Sequence, residues 1–138
     1  VRNTLIDAGP LIALFSKNDR YHDKVLSYLK EYRGRLVTTW PVITETCHLL
    51  DFEVKAQLAF LRWLQRGAVT IYDISFAEID SLITLTEKYH DVPMDLADAS
   101  LILVAHALRT NEIITIDADF YVYRTIAKEA IRNVFLNP

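Results

Sequence analysis

Apolar positions along this chain fall into two alternating patterns: short β-branched or aliphatic runs, and longer stretches in which apolar residues recur every three or four positions. Thr4-Leu5-Ile6 is the first short run. Asp7-Ala8-Gly9-Pro10 breaks it, and Leu11-Ile12-Ala13-Leu14-Phe15 reads as an apolar helix that tolerates Pro10 in its first turn. Asn18-Asp19 can cap a second helix through about Tyr32, in which Tyr21, Val25, Tyr28, Leu29 and Tyr32 form one stripe and Gly34 is the stop. Arg35-Leu36-Val37-Thr38-Thr39 is the next strand, and Trp40-Pro41 leads into a helix over residues 42–50. Asp51 can cap a fourth helix over 52–66, closed by Gly67. Residues 68–74 read as a third strand; Ser75 and Glu78 then have the spacing of a capping box and open an amphipathic helix over 75–89. After a helix that ends near 109–111, residues 112–116 are a strand by β-branched content, and a last helix over 122–131 and a strand around 133–136 close the chain. Strands alternating with helices pair in parallel through right-handed crossovers. The predicted fold is therefore α/β, a three-layer α/β/α sandwich with a mostly parallel central sheet.

One helix carries an anomaly. Pro93-Met94-Asp95-Leu96-Ala97-Asp98-Ala99-Ser100-Leu101-Ile102-Leu103-Val104-Ala105-His106 is small or apolar on every side of a helical wheel, so protein must cover it on most sides. Its first turn nevertheless holds Asp95 and Asp98, three apart and on one face, at the end where backbone dipoles favour negative charge. Asp95 suits an N-cap, and capping needs only one acid. Asp98, flanked by alanines in a helix that must be buried, calls for a partner or a metal.

Three more acids stand just past strands: Asp7, Glu45 in the opening turns of its helix, and Asp117, with Asp119 two residues further on. Each has a local reading as a turn, cap or first-turn acid, the last stabilising by about 0.3–1 kcal/mol through the helix dipole. In a parallel sheet, however, the carboxyl ends of the strands gather along one edge, where ligands bind. A helix running back antiparallel to the strands starts at that edge too, which brings Asp98 into range. Four carboxylates there would repel, a pair about 4 Å apart by roughly 4 kcal/mol at an effective dielectric near 20. No Lys or Arg within the four motifs neutralises them, and His22, His48, His90 and His106 are too scattered for a zinc site. Hard oxygen donors without thiolate or paired imidazole suit Mg2+ or Mn2+, cations that commonly keep waters and hold phosphates.

Composition narrows the classes. A chain of 138 residues, 51% hydrophobic, fits one domain over 1–138 with its own core. The single cysteine, Cys47, excludes an internal disulfide framework and a multi-cysteine zinc site, and suits a reducing cytosol. No apolar run has the length of a membrane span, and the N-terminus lacks a basic region followed by an apolar segment, so the sequence reads as soluble and cytoplasmic with no membrane partner. A net charge of −3 gives no general positive field for nucleic acid, so a polyanion would need local basic patches or a metal. Lys55, Arg62 and Arg66, and again Arg124, Lys128 and Arg132, fall at helical spacing and read as solvated faces. The glycine-rich loop of nucleoside triphosphate hydrolases is missing.

Leu5-Ile6-Asp7-Ala8-Gly9-Pro10-Leu11-Ile12-Ala13-Leu14-Phe15, Ile43-Thr44-Glu45-Thr46, Leu96-Ala97-Asp98-Ala99-Ser100-Leu101-Ile102 and Thr115-Ile116-Asp117-Ala118-Asp119-Phe120 resemble, in order and spacing, the acidic motifs of the PIN-domain family, and within it the VapC-like toxins of toxin–antitoxin pairs. The resemblance covers essentially the whole chain; each motif alone is weak, and the ordered set of four is specific. It implies a Mg2+- or Mn2+-dependent endoribonuclease that hydrolyses RNA phosphodiester bonds, often a homodimer, neutralised by a small antitoxin that inserts a segment near the active site. Asp7, Glu45 and Asp98 match the family's three core acids and Asp117 its more variable fourth, which makes all four catalytic and metal-ligand candidates. Thr115 matches a position where a hydroxyl residue assists, and Asp95 and Asp119, without a firm counterpart, stand as additional ligand candidates.

Two other readings compete. A non-catalytic module of the same fold could bind protein or RNA, but the intact acids argue against it. An aspartate-based phosphotransferase or receiver domain also places an acid after its first strand, yet needs a second acid close by and a lysine near the last strands; here Gly9 follows Asp7 by two and residues 112–120 contain no lysine.

Overall fold

The computed structural model describes residues 1–137. Strand β1 (Asn3–Ile6) lies at the centre of a sheet between β2 (Arg35–Thr39) and β4 (Glu112–Ile114), with β3 (Thr70–Tyr72) and β5 (Arg132–Asn133) at the edges. Every pairing is parallel, and the register sets Leu5 beside Val37 on one side and Ile113 on the other. Helices α1 (Ala8–Phe15), α2 (His22–Glu31), α3 (Trp40–Leu49), α4 (Val54–Gln65), α5 (Ile79–Lys88) and α6 (Leu96–Leu108) make the connections.

The chain builds outward from β1 to β2 to β3, then crosses back over the sheet to β4 and continues to β5. Right-handed crossovers that reverse direction change face. Accordingly α1 packs with α2, α3 and α4, and α5 packs with α6, giving the α/β/α sandwich that the alternation predicts, while α3 and α6 also meet each other. The reversal also makes the carboxyl ends of β1 and β4 a topological switch point, the crevice that open sheets of this kind offer to ligands. Leu5, Ile6, Val37, Ile113 and Ile114 are fully buried, as near-continuous apolar strands covered on both faces must be. Residues 97–105 of α6 are buried without a break, which its apolar circumference requires.

Local signals hold where two of them coincide. Asp95 is the N-cap of α6, its Oδ1 accepting from the Asp98 N–H at 2.8 Å, and Ser75 with Glu78 forms the capping box ahead of α5. Single signals shift by a few residues. Asp19 accepts from the Tyr21 N–H in a turn, so α2 begins at His22 instead, and Glu53, not Asp51, is the N-cap position of α4.

The largest difference lies near the C-terminus. The helix expected over 122–131 does not form, nor does the helical face of Arg124, Lys128 and Arg132. A 3₁₀ turn, Ala118–Tyr121, is followed by a loop with an isolated antiparallel bridge between Arg124 and Ala130. Thr125 explains it: its hydroxyl accepts from the Glu129 N–H at 3.0 Å while its carbonyl accepts from the Lys128 N–H at 2.8 Å, a local alternative to helical bonding that puts Lys128 at φ 68°. The terminal strand is cut to Arg132–Asn133 because Asn133 Oδ1 accepts from the N–H groups of both Phe135 and Leu136 at 3.1 Å and curls the chain away.

Candidate active site

At the end of β1, Asp7 continues the sheet by donating its N–H to the Ile114 carbonyl at 3.1 Å, then turns into α1 as its N-cap position. Its side chain makes no capping bond. Instead its Oδ2 accepts from the Thr115 hydroxyl at 3.0 Å, and the same hydroxyl accepts from the Asp117 N–H at 3.0 Å. Thr115, fully buried just past β4, thus links two acids that are 110 positions apart in the chain, and its own carbonyl accepts from Asn133 Nδ2 at 2.9 Å. Asp117 Oδ1 accepts from the Asp119 N–H at 2.9 Å, which closes the turn into the 3₁₀ segment.

Asp98 enters from the opposite face of the sheet, in the first turn of α6, and the Tyr123 hydroxyl donates to its Oδ2 at 3.0 Å. One oxygen from each of Asp7, Asp98 and Asp117 lies within 4.8 Å of the others. Each of the three has one oxygen already held by a hydroxyl or an N–H and keeps a second for another partner.

Asp7 and Asp98 are each only 6% exposed, so their charged forms are costly. Burial is the main reason that Asp7 is pushed up to about 6, with Glu45 and Asp117 adding repulsion and the Ala8 N–H and the Thr115 hydroxyl opposing it. Burial likewise raises Asp98 to about 7, helped by Asp95, Asp7 and Asp117 and opposed by the Tyr123 bond. Glu45, on α3 and half-buried, lies outside the 4.8 Å group but within reach of its field: burial, then Asp95 and Asp117, hold its carboxyl above the usual range. The leading contributors to these three shifts include no lysine or arginine.

The donor set fits a hard divalent cation. Three carboxylate oxygens converge from three separate segments, without thiolate or imidazole, and among the described residues neither buried acid forms an ion pair with a lysine or arginine. Asp95 is exposed, and its side chain is engaged as the α6 cap; Asp119 contributes its N–H to Asp117, and neither belongs to the converging group. Tyr123 is the residue of this cluster that sequence reasoning misses. It lies in the segment read as a helix, 25 positions from Asp98, and only the folded loop brings it there. Burial first, and then the Asp98 charge, push its hydroxyl well above the usual tyrosine range, so it acts as a donor throughout.

No family model matches the chain. It is 31% identical over 115 residues to ribonuclease VapC26 of Mycobacterium tuberculosis, a match that covers 82% of this chain and 85% of that protein. The crystal structure of Mycobacterium tuberculosis VapC20, described as a sarcin–ricin loop cleaving toxin, superposes with a TM-score of 0.79 at 16% identity over 86% of this chain and 93% of the other, a likeness of fold. With the identity to the first spanning most of both sequences, the chain belongs to the VapC-like branch of the PIN-domain family.

Proposed function

We infer that this protein is an RNA-cleaving hydrolase, the toxin of a toxin–antitoxin pair, and that its acidic cluster holds Mg2+ or Mn2+. The observation that carries the reading is the convergence of the Asp7, Asp98 and Asp117 carboxylates within 4.8 Å at the switch point of the sheet, in a chain related to a ribonuclease over most of its length. Asp7, Asp98 and Asp117 would hold the ion, with Glu45 beside them to bind it through water or to orient the attacking water. When bound, such a cation supplies a water acidic enough to attack near neutral pH and charge compensation on a phosphodiester oxygen.

The protein's own part is positional. Thr115 fixes Asp7 and the Asp117 backbone with one hydroxyl, and Tyr123 fixes Asp98. Each leaves the second carboxylate oxygen in a defined place, so little reorganisation is needed when charge develops on the substrate. Asp7 and Asp98, pushed up to about 6 and about 7, are the groups able to exchange a proton near neutral pH when no cation is bound.

The partners in this reading are RNA as substrate, a small antitoxin protein and a second copy of the chain, acting in the cytoplasm. Val54, Leu58 and Leu61 stand exposed at i, i+4 and i+7 on α4, a stripe suited to a protein partner. No helix among the described residues is long and apolar enough to cross a membrane.

The test compares wild type with Asp98→Asn in two assays, cleavage of single-stranded RNA and thermal shift on adding Mn2+. Wild type cleaves and is stabilised by the ion, whereas the variant loses both by at least tenfold. Equal cleavage by the two proteins refutes the assignment, and a wild type indifferent to Mn2+ favours a non-catalytic binding module.

A further inference from the structure

Besides the acids, the same edge of the sheet carries an exposed aromatic residue. Trp40 is the first residue of α3, directly after β2, and is 54% exposed. The other tryptophan, Trp63, is instead half-buried and packs edge-on to Phe15 at 5.5 Å between ring centres. No ring contact ties down the Trp40 indole among the described residues; its backbone carbonyl accepts from the Thr44 hydroxyl at 2.9 Å. Large amphipathic rings left in solvent beside a reactive centre are suited to stacking on a flat partner.

The indole lines an open groove of about 590 Å³ whose walls include Thr44, Glu45 and His48 of α3 and Asp95 and Leu96 at the start of α6. Most of the groove surface is carbon, and Leu96 is 58% exposed within it. Two of its wall residues, Glu45 and Asp95, couple electrically to the converging acids. The groove therefore runs alongside the acidic cluster. The elements that carry its two walls are tied together nearby in the chain: Thr39, the residue before Trp40, has its Oγ1 2.6 Å from Ser100 Oγ in α6, and both are fully buried.

Charge selects the occupant. A phosphate would be repelled by Glu45 and Asp95 in the groove and belongs at the cation held by the acids. The groove accepts the neutral, flat part of the same nucleotide chain. We propose that the Trp40 indole is the stacking platform for an unpaired nucleobase adjoining the phosphodiester that is cut, making this groove a base subsite for single-stranded RNA. The proposal rests on the ribonuclease reading above. It gives a protein of net charge −3 a way to hold RNA by stacking, which tolerates any base identity because every base has a π-face.

Steady-state cleavage of a short unstructured RNA by Trp40→Ala, Trp40→Leu and Trp40→Phe tests it, alongside Mn2+ affinity and fluorescence. Loss of the indole raises KM about tenfold with kcat and Mn2+ affinity near wild type. Phe restores most of the loss, while Leu, apolar but unable to stack, does not. In an Asp98→Asn background the RNA quenches tryptophan emission, and adding Trp40→Phe, which leaves only Trp63, removes the response. Wild-type KM in Trp40→Ala, or a Leu variant as good as Phe, overturns the subsite while leaving the ribonuclease reading standing. A groove reserved for a protein partner gives that same result, with no quenching by RNA. A wild type that neither cleaves nor is quenched overturns both.

Discussion

Tyr123 shows how a single hydroxyl can orient a buried carboxylate. Its ring packs edge-on to Tyr89 at 5.1 Å and to Phe120 at 5.2 Å between ring centres, and only its oxygen touches Asp98. Tyr123→Phe therefore keeps the packing and removes one donor to a carboxylate. Partners of this kind around metal ligands carry about 10–100-fold in affinity, so Mn2+ binding measured by calorimetry weakens by that order while the far-ultraviolet circular dichroism is unchanged. Wild-type affinity in the variant would show that Asp98 needs no orienting partner. Thr115 is a different case: the family resemblance already marks it as an assisting hydroxyl, although the strand expected to contain it ends one residue earlier, at Ile114. Nothing near Tyr123 in the chain hints at Asp98. Its role depends on a loop whose conformation is set by Thr125 and Lys128, and residue spacing there imitates a helix.

At the scale of elements, α6 separates a capping acid from one that converges on other acids within a single turn. Asp95 caps the helix by accepting from the Asp98 N–H at 2.8 Å, whereas the Asp98 side chain turns toward Asp7 and Asp117. Asparagine caps as well as aspartate, and alanine costs about 1 kcal/mol at such a position. Asp95→Asn accordingly matches wild type in urea unfolding and in Mn2+ affinity, while Asp95→Ala loses about 1 kcal/mol of stability. A marked loss of Mn2+ affinity in the Asn variant would make Asp95 a ligand instead of a cap. The same helix illustrates what sequence carries. An apolar circumference can only mean burial, so an acid inside it stands out, and the strand-end rule brings Asp7 and Asp117 to the same edge because all five strands are parallel. Glu45 follows the rule in position but stays half-buried on α3, outside the converging oxygens, because two turns of latitude at the start of a helix are not resolved by counting residues. Near the C-terminus the four-residue spacing of Arg124, Lys128 and Arg132 suggests a helix, yet side-chain bonds from Thr125 and Asn133 override it, and such local competition is invisible to periodicity.

For the molecule as a whole, the buried acids make stability depend on pH with an uncommon sign. Paired surface carboxylates usually titrate below their unfolded values and stabilise a protein as pH rises. Glu112 is of that kind: partial burial is outweighed by hydrogen bonds from Arg2 and Thr4 and by the nearby charges, so its contribution is lost only as pH falls below the ordinary glutamate range. Asp7 and Asp98 behave oppositely. Their folded values, about 6 and about 7, lie above the ordinary 3.8, so between pH 4 and 7 the folded protein holds more protons than the unfolded chain. Stability then falls as pH rises through this window and levels off once both are ionised. In the absence of divalent ions the melting temperature at pH 8 is lower than at pH 5 by on the order of 5 °C. If the proposed ion binds, it favours the ionised forms, so Mn2+ is expected to stabilise the protein strongly at pH 8 and little at pH 5, where protons compete for the same oxygens. Asp98→Asn removes one of the two burdens, which raises the metal-free melting temperature at pH 8, flattens the pH profile and abolishes most of the Mn2+ response. Differential scanning calorimetry of both proteins at the two pH values, with chelator and with Mn2+, reads all of this in one set of scans. Metal-free stability that climbs from pH 5 to pH 8 would mean that the two aspartates do not share a buried, cation-poor pocket in solution.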